Sequence, residues 1–494
     1  MKVLGFNKDK YLQMQSTKIL ERVKMFDNKL YLEFGGKLFD DYHASRVLPG
    51  FEPDSKIKML YQLKDKVEIV IVINANDIEN NKYRADLGIT YDSDVLRLID
   101  VFRNKEFYVG SVVLTHCSGQ PSAVNFKKRL ENLGVKVYRH YPIAGYPYEV
   151  ETIVSEEGFG KNDYIATTRP IVVVTAPGPC SGKMATCLSQ LYHEQKRGVK
   201  AGYAKYETFP VWNLPLNHPV NIAYEAATAD LNDVNMIDPF HLEAYDAMAT
   251  NYNRDVEVFP VLSAMLTKIM GKSPYKSPTD MGVNMAGDCI IDDEVVKEAS
   301  KQEVIRRYFA TLTDNKKGRA EKETIYKIEA LMRKIGVSVN DRAVVEPALE
   351  KEALTGAPAC AMQLPDGRIV TGKTGNLLGA CSAVLLNALK VLGEIDDSID
   401  IISSSVIEPI QKLKTEHMGS INPRLHTDEI LLSLAVSAVT NPIAKVAMEQ
   451  LGKLKGSELH STVILSHVDE KTFKKLGVNV TSEPKKQNKS LYNA

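Results

Sequence analysis

The run "RPIVVVTAPGPCSGKMATCLSQLYHE", residues 169–194, decides how this chain is read. Ile171 to Thr175 is a β-branched run of strand length; Pro, Gly, Pro and Ser-Gly follow, and a helical pattern opens near Lys183 with Leu188 and Leu191 at i, i+3 spacing. Strand, tight turn and helix, in that order, is the layout of a phosphate-binding loop.

The pattern extends on both sides of that stretch. Strand-like and helical runs alternate through "VEIVIVINA" from Val67, "DVLRLIDVF" from Asp94, "YVGSVVLTH" from Tyr108, "SAVNFKKRLENLG" from Ser122 and "VKVYRHY" from Val135. "VKAGYAKYETF" then reads as a strand and "VNIAYEAATADL" as a helix. Such alternation predicts a mainly parallel sheet covered by helices, an α/β body of doubly wound, Rossmann-like or P-loop-like class, with a subdomain split near 150–165. Residues 292–335 are helical and charged and read as a connector, which places one domain over 1–340 and a smaller α/β domain over 341–494. In the latter, "ACAMQLPDGRIVTGK" is a hairpin, "LLGACSAVLLNALKVLG" and "NPIAKVAMEQLGKL" are helices, and "HSTVILS" is a strand. The tail "SEPKKQNKSLYNA" is polar and expected to fray.

Composition narrows the classes of function. At 494 residues, 44% hydrophobic and 25% charged, the chain is an ordinary globular one able to bury more than one core. Its 62 basic residues balance 62 acidic ones, so neither nucleic acid nor an anionic membrane surface is an expected partner. "MKVLGFNKDKYLQMQ" carries charges where a signal peptide needs an apolar core, and no run approaches the ~18 apolar residues of a membrane span, which predicts a cytoplasmic protein. Cysteines 117, 180, 187, 289, 360 and 381 are scattered without a C-x-x-C pair, so no metal site is predicted and the thiols are expected to be reduced.

Against G-x-x-x-x-G-K-[ST], the opening stretch keeps Gly182 and Lys183 but has Pro177 for the first glycine and Met184 for the hydroxyl. Pro177 and Pro179 bring no N–H, whereas Gly178, Cys180, Ser181, Gly182 and Lys183 still do. A thioether does not ligate Mg²⁺, and Thr186 is no substitute, since two residues along a helix turn it by about 200°. What remains is an anion site at a helix N-terminus, with Gly178, Ser181, Gly182 and Lys183 as the binding set and Lys183 as the clamp. The plain alternative is a Gly/Pro turn with a solvated lysine. "GRIVTGKT", Gly367 to Thr374, matches the full string, but its turn signal and β-branched run predict a hairpin.

In "ATADLNDVNMIDPFH", Asp230, Asp233, Asp238 and His241 form an acid and imidazole cluster. Asp238 and His241 are the candidate catalytic pair, weighed against ordinary cap and turn duties. "THCSGQPSAVNF" and the His140 loop "RHYPIAGYPYE" suggest a second crevice, although Ser118 or Gln120 capping a helix explains the former without a ligand. Protease readings fail: "HEQKR" has Arg197 where a second zinc ligand belongs, and no G-x-S-x-G occurs. His460, Ser461 and Asp469 around "TVILS" have catalytic residue types without catalytic spacing.

The runs "HYPIAGYP", "VTAPGPCSGKMATCLSQLYHE", "KYETFPVWNLPLNHPVNIAYEAATADLNDVNMIDPFHLEAY", "SPTDMGVNMAG" and "HSTVILSHVDEKTFKKLG" resemble a bacterial family that carries a domain-of-unknown-function label. The resemblance covers nearly the whole chain and implies a larger N-terminal domain to about 340 with a smaller C-terminal one. Some relatives carry an "ATP-dependent peptidase" label, which the missing H-E-x-x-H does not support. The combined expectation is a protein that binds a small phosphorylated or anionic ligand and acts as a small-molecule enzyme, with no particular cofactor implied. The competing class is a non-catalytic ligand-binding or scaffolding homo-oligomer.

Overall fold

The computed structural model describes residues 4–84 and 87–487. The chain divides into two compact units, one ending at Ser300 and the other starting at Lys301, inside the helix Asp293–Lys316. Most of the helical connector, completed by Lys322–Lys334, therefore belongs with the second unit.

The first unit is built on seven parallel strands: β1 (Leu30–Phe34), β2 (Val67–Asn74), β3 (Tyr108–Thr115), β4 (Lys136–Arg139), β5 (Ile171–Thr175), β6 (Gly202–Tyr206) and β7 (Gly282–Val283). Their order across the sheet is β7-β6-β1-β5-β2-β3-β4, and every pairing is parallel. β1 and β5 are buried along their whole length, as strands covered on both faces must be. From β1 the chain steps outward through β2, β3 and β4; it then returns to insert β5 between β1 and β2, and steps the other way to β6 and β7. Crossovers of one hand put the helices of those two excursions on opposite faces. On one lie α1 (Lys8–Lys24), which packs on the helix Ser55–Tyr61, together with α2 (Tyr91–Asn104) and α3 (Pro121–Asn132); on the other are α4 (Lys183–Lys196) and α5 (Asn253–Met270), packed on each other.

One difference from the sequence reading concerns this sheet: β1, "LYLEF", is too short and too interrupted by Glu33 to stand out as a strand, yet it is central, whereas "DVLRLIDVF" lies within α2 as the alternation predicts. His140, just past β4, ties strand ends together: its N–H donates to Leu114 O at 2.9 Å, its carbonyl accepts from Cys117 N, and ring Nε2 lies 3.2 Å from Asp163 O.

The second unit carries a mixed sheet of β8 (Ala359–Gln363), β9 (Ile369–Lys373), β10 (Glu458–Ser461) and β11 (Asn479–Ser482), in the order β9-β8-β10-β11. "TVILS" is not itself a strand, because β10 ends at Ser461. Of the polar tail, residues 488–494 lie outside the described residues. The buried Arg342 side chain fastens β10 to β11, donating to Glu458 at 2.6 Å, Thr481 Oγ1 at 2.9 Å and the carbonyls of Leu459 and Asn479. Arg306 adds a two-pronged contact to Glu458, both at 3.1 Å. "GRIVTGKT" is the β8–β9 hairpin: Thr374 N and Gly375 N donate to Pro358 O and Leu378 O, and Lys373 is exposed. Gly372 is there for close packing, since a Cβ would stand 2.3 Å from Val384 N in the helix Ala380–Leu392. Among the described residues no helix is long and apolar enough to cross a membrane.

Gly372→Ala is expected to destabilise the second unit by about 1–3 kcal/mol, as overpacking does, and Lys373→Ala to stay within ~0.5 kcal/mol; urea unfolding measures both.

Burial pushes the His140 imidazole down to about 4. Between the ordinary value near 6.5 and that value the unfolded chain binds a proton that the folded one does not. Stability from this group is therefore complete above about pH 6.5 and declines as pH falls, by ~3 kcal/mol at pH 4. His140→Gln is expected to flatten the pH dependence of the urea midpoint in that window, and an unchanged slope would refute this account.

Candidate functional site

Because β5 is where the winding reverses, its carboxyl end opens on the crevice that doubly wound sheets use for ligands. The segment leaving it, residues 176–182, turns through Cys180 at φ 55° and Gly182 at φ 89°, and α4 starts at Lys183. Glycine is required at 182, both for the left-handed backbone and because a Cβ would lie 3.1 Å from Thr115 Cγ2. Gly178 lies against Tyr91, whose hydroxyl would be 2.3 Å from any Cβ there. Thr115, the last residue of β3, donates Oγ1 to Ser181 O at 2.7 Å. The turn is thus shaped by a strand residue, Thr115, and a helix residue, Tyr91, from elsewhere in the chain.

Its inner surface is a row of free donors. Among the described residues, no backbone N–H from Gly178, Cys180, Ser181, Gly182, Lys183, Met184 or Ala185 donates to a protein acceptor; the first bond of the helix is Thr186 N to Gly182 O at 2.9 Å. The Lys183 side chain makes no hydrogen bond or ion pair among the described residues, and the residue is half-buried. The Ser181 and Thr186 hydroxyls are buried, at 2% and 1% exposure, and have no hydrogen-bond partner. Met184 packs on the sheet's hydrophobic core, so position 184 offers no oxygen to a cation. Met184 and Ala185 extend the donor row beyond the residues named from sequence.

Beside the loop stands Glu33, near the carboxyl end of β1 and in register with Val174 of β5 and Lys205 of β6. It accepts from Tyr203 Oη at 2.6 Å. Burial raises the Cys187 thiol well above its usual range; Glu33 adds to that and Lys183 opposes it, which places both charges near the first turns of α4. Burial, helped by Glu33, likewise pushes Tyr146 of the His140 loop up to about 12. Glu33 and Lys205 escaped sequence reasoning. Their signal is a charged residue inside an apolar strand run, which a buried position tolerates only with a partner.

The other predicted residues have different duties. Asp238 is 0% exposed and caps the helix Pro239–Tyr245, with Oδ1 accepting from Phe240 N and His241 N, while Oδ2 takes the N–H and hydroxyl of Thr279. Those four donors hold it as a structural clamp, the cap duty weighed against acid–base work in the sequence. His241 Nδ1 lies 3.0 Å from Ser277 Oγ, and its ring packs near Trp212 and Tyr245. No hydrogen bond or ion pair among the described residues joins either to the 176–183 loop. Asp233 pairs with Arg254 at 2.6 Å.

At the second crevice Gln120 does not cap α3; its side chain reaches Asn76 and His116 O, and Glu79 accepts from Ser122 N. That helix start is already occupied by a carboxylate. His193 and Glu194 of "HEQKR" are tied to Asn162 O and Tyr31 Oη. His460 meets Thr481 and Glu483, whereas Asp469 meets His426 and Ser466, so they form no triad. Among the described residues no group of three or more His, Cys, Asp and Glu is placed to hold a metal ion.

Comparison with known proteins gives the chain its relatives. A UPF0371 protein of Streptococcus pyogenes serotype M5 and one of Streptococcus uberis are each 59% identical to it, over 100% of both chains. A solved structure, the ORC2 protein of Aeropyrum pernix in its ADP form, aligns over 87% of this chain and 85% of its own at 11% identity with a TM-score of 0.17, a likeness from which neither fold nor ligand carries over. With family models matching residues 4–336 and 340–492, the chain belongs to the family described as domain of unknown function DUF1846, N-terminal and C-terminal.

Proposed function

We propose that the 176–183 loop is a phosphate-binding turn and that the protein is an enzyme acting on a small phosphorylated molecule, with Lys183 as the anion clamp. The observation that carries this reading is the set of free N–H groups on Gly178 and on Cys180 through Ala185, broken only at Pro179, at the strand end where the sheet reverses. Buried or half-buried donors without partners are costly, and an anion satisfies several at once while meeting the positive end of the α4 dipole. The hydrogen-bonding of the loop also separates it from "GRIVTGKT", where Thr374 N and Gly375 N are already engaged.

Met184 has no oxygen to give, so binding by this mode depends little on Mg²⁺. Asp238 and His241 are left out of the phosphate site, because their hydrogen bonds hold the Pro239–Tyr245 helix and its neighbours in place.

A second reading, a self-associating scaffold, is favoured by one surface. Leu432, Val436 and Val439 are 69%, 68% and 82% exposed, and no charged residue occurs between Ile430 and Ala444. An uncharged apolar face of this kind is compatible with a second copy of itself.

Lys183→Ala is expected to weaken binding of inorganic phosphate or ADP at least about tenfold, the weight of one charge-assisted hydrogen bond, with stability changed by no more than ~0.5 kcal/mol. Lys373→Ala is expected to bind as wild type does. Isothermal titration with and without Mg²⁺ reads both, and equal affinity in wild type and the Lys183 variant would overturn the phosphate reading. For the scaffold reading, sedimentation velocity is expected to show an oligomer that Leu432→Glu with Val436→Glu dissociates; a monomeric wild type would remove it.

A further inference from the structure

Lys205, Glu207, Tyr252 and Asp255 meet at the carboxyl ends of β6 and β7. Lys205 Nζ is 2.8 Å from Glu207 Oε1 and also contacts the Asp255 carboxylate and the Tyr252 hydroxyl, which itself reaches Glu207 Oε1 at 3.3 Å. Two largely buried carboxylates share one ammonium. The neighbouring Asp233 and Arg254 compensate each other, the Tyr224 phenol is neutral at ordinary pH, and Glu33, in register with Lys205 on the adjacent strand, adds a further carboxyl group that acts on the same ammonium. At least one negative charge is left without a counter-ion, so Glu207 retains a proton to higher pH than an exposed carboxyl would. Burial, reinforced by Asp255 and opposed by Lys205, brings Glu207 up to about 7.

This cluster opens on a small pocket with room for about one water-sized group, walled by Glu207, Trp212, Thr250, Asn251, Thr279 and Asn284. The uncharged polar groups of the wall are occupied by protein: Trp212 Nε1 donates to Asn284 O, Asn284 Nδ2 to Pro210 O, Asn251 Nδ2 to Thr279 Oγ1, Thr279 Oγ1 to Asp238 and Thr250 Oγ1 to Leu214 O. The wall is therefore held rigidly around one carboxyl. Glu207 Oε2 stands at the side left open by Gly282, where a Cβ would be 3.4 Å from it.

β6 is separated from β5 by β1 alone, so the two strand ends lie about 10 Å apart on the same edge of the sheet. We propose that the Glu207 pocket is the acid–base half of the site: it receives a hydroxyl of the ligand whose phosphate sits on the Lys183 loop, and Glu207 is the group that exchanges a proton with that hydroxyl. The ligand class is then a phosphate monoester of a short polyhydroxylated skeleton. This rests on the phosphate reading of the loop and adds the identity of the group at the ligand's other end.

The test compares inorganic phosphate with ribose 5-phosphate by isothermal titration at pH 6 and pH 8. Wild type is expected to prefer the sugar phosphate by about tenfold, a difference of ~1.4 kcal/mol, with a preference that changes between the two pH values. Glu207→Gln is expected to lose the preference and its pH dependence while keeping its affinity for inorganic phosphate. Gly282→Ala narrows the pocket without removing a charge, and the same loss is expected. Unfolding midpoints confirm that each variant is folded, and should Glu207→Gln fail to fold, Gly282→Ala decides. Equal affinity of wild type for the two probes, or a preference that survives in a folded Glu207→Gln or Gly282→Ala protein, overturns the inference. If Lys183→Ala still binds inorganic phosphate as wild type does, the loop reading fails instead, which is a separate outcome.

Discussion

The placement of Ile171–Thr175 between Leu30–Phe34 and Val67–Asn74 is the constraint on which the first unit depends. Both neighbours lie far from it along the chain, and the inserted strand is covered on both faces, so each of its side chains must be apolar or, like Thr175, small. The insertion reverses the direction of winding, and the segments leaving the neighbouring strand ends diverge. The crevice at residues 176–183 is a geometric result of that divergence. Its depth depends on Thr115 and Tyr91, which come from strands and helices on one excursion and hold a turn that begins the other.

A short string with phosphate-loop spacing behaves according to the backbone around it. "GRIVTGKT" has every residue type in place, but its chain is extended and laddered to Ala359–Gln363, and its glycine at 372 is used to let a helix approach. "PGPCSGKM" lacks two of the residue types yet leaves its N–H groups pointing at no protein acceptor, because two left-handed residues turn the chain away from any ladder. Hydrogen-bond accounting ranks the two sequences in the opposite order from pattern matching.

Buried charges divide in the same way. Arg342 is surrounded by acceptors from β10 and β11, and the Glu458 carboxylate balances it, so that group is closed and structural. Asp238 is closed as well, by four donors. Around Lys205 the arithmetic does not close: two carboxylates meet one cation, and one of them borders a pocket. An incompletely compensated ionisable group next to open space is the arrangement from which proton transfer is built.

Local pattern alone determined the α/β class, the strand-turn-helix at 169–194, the hairpin at 359–373 and the change to charged helices near 292, because periodicity and turn chemistry are properties of adjacent residues. The family was legible in long runs of sequence for the same reason. Tertiary structure decided the rest. The central position of "LYLEF" follows from pairing with strands more than a hundred residues away, and no local feature of that stretch announces it. The sequence leaves Asp238 open between cap and acid–base duties, and the donor that engages its second oxygen, Thr279, lies 41 residues on. The Asp255 carboxylate that helps burial raise the proton affinity of Glu207 is supplied by a helix that begins 46 residues later. The sequence by itself determines which groups the chain carries and which local shapes they take; which of those groups remain unpaired in a crevice depends on long-range packing, and the chemistry depends on that.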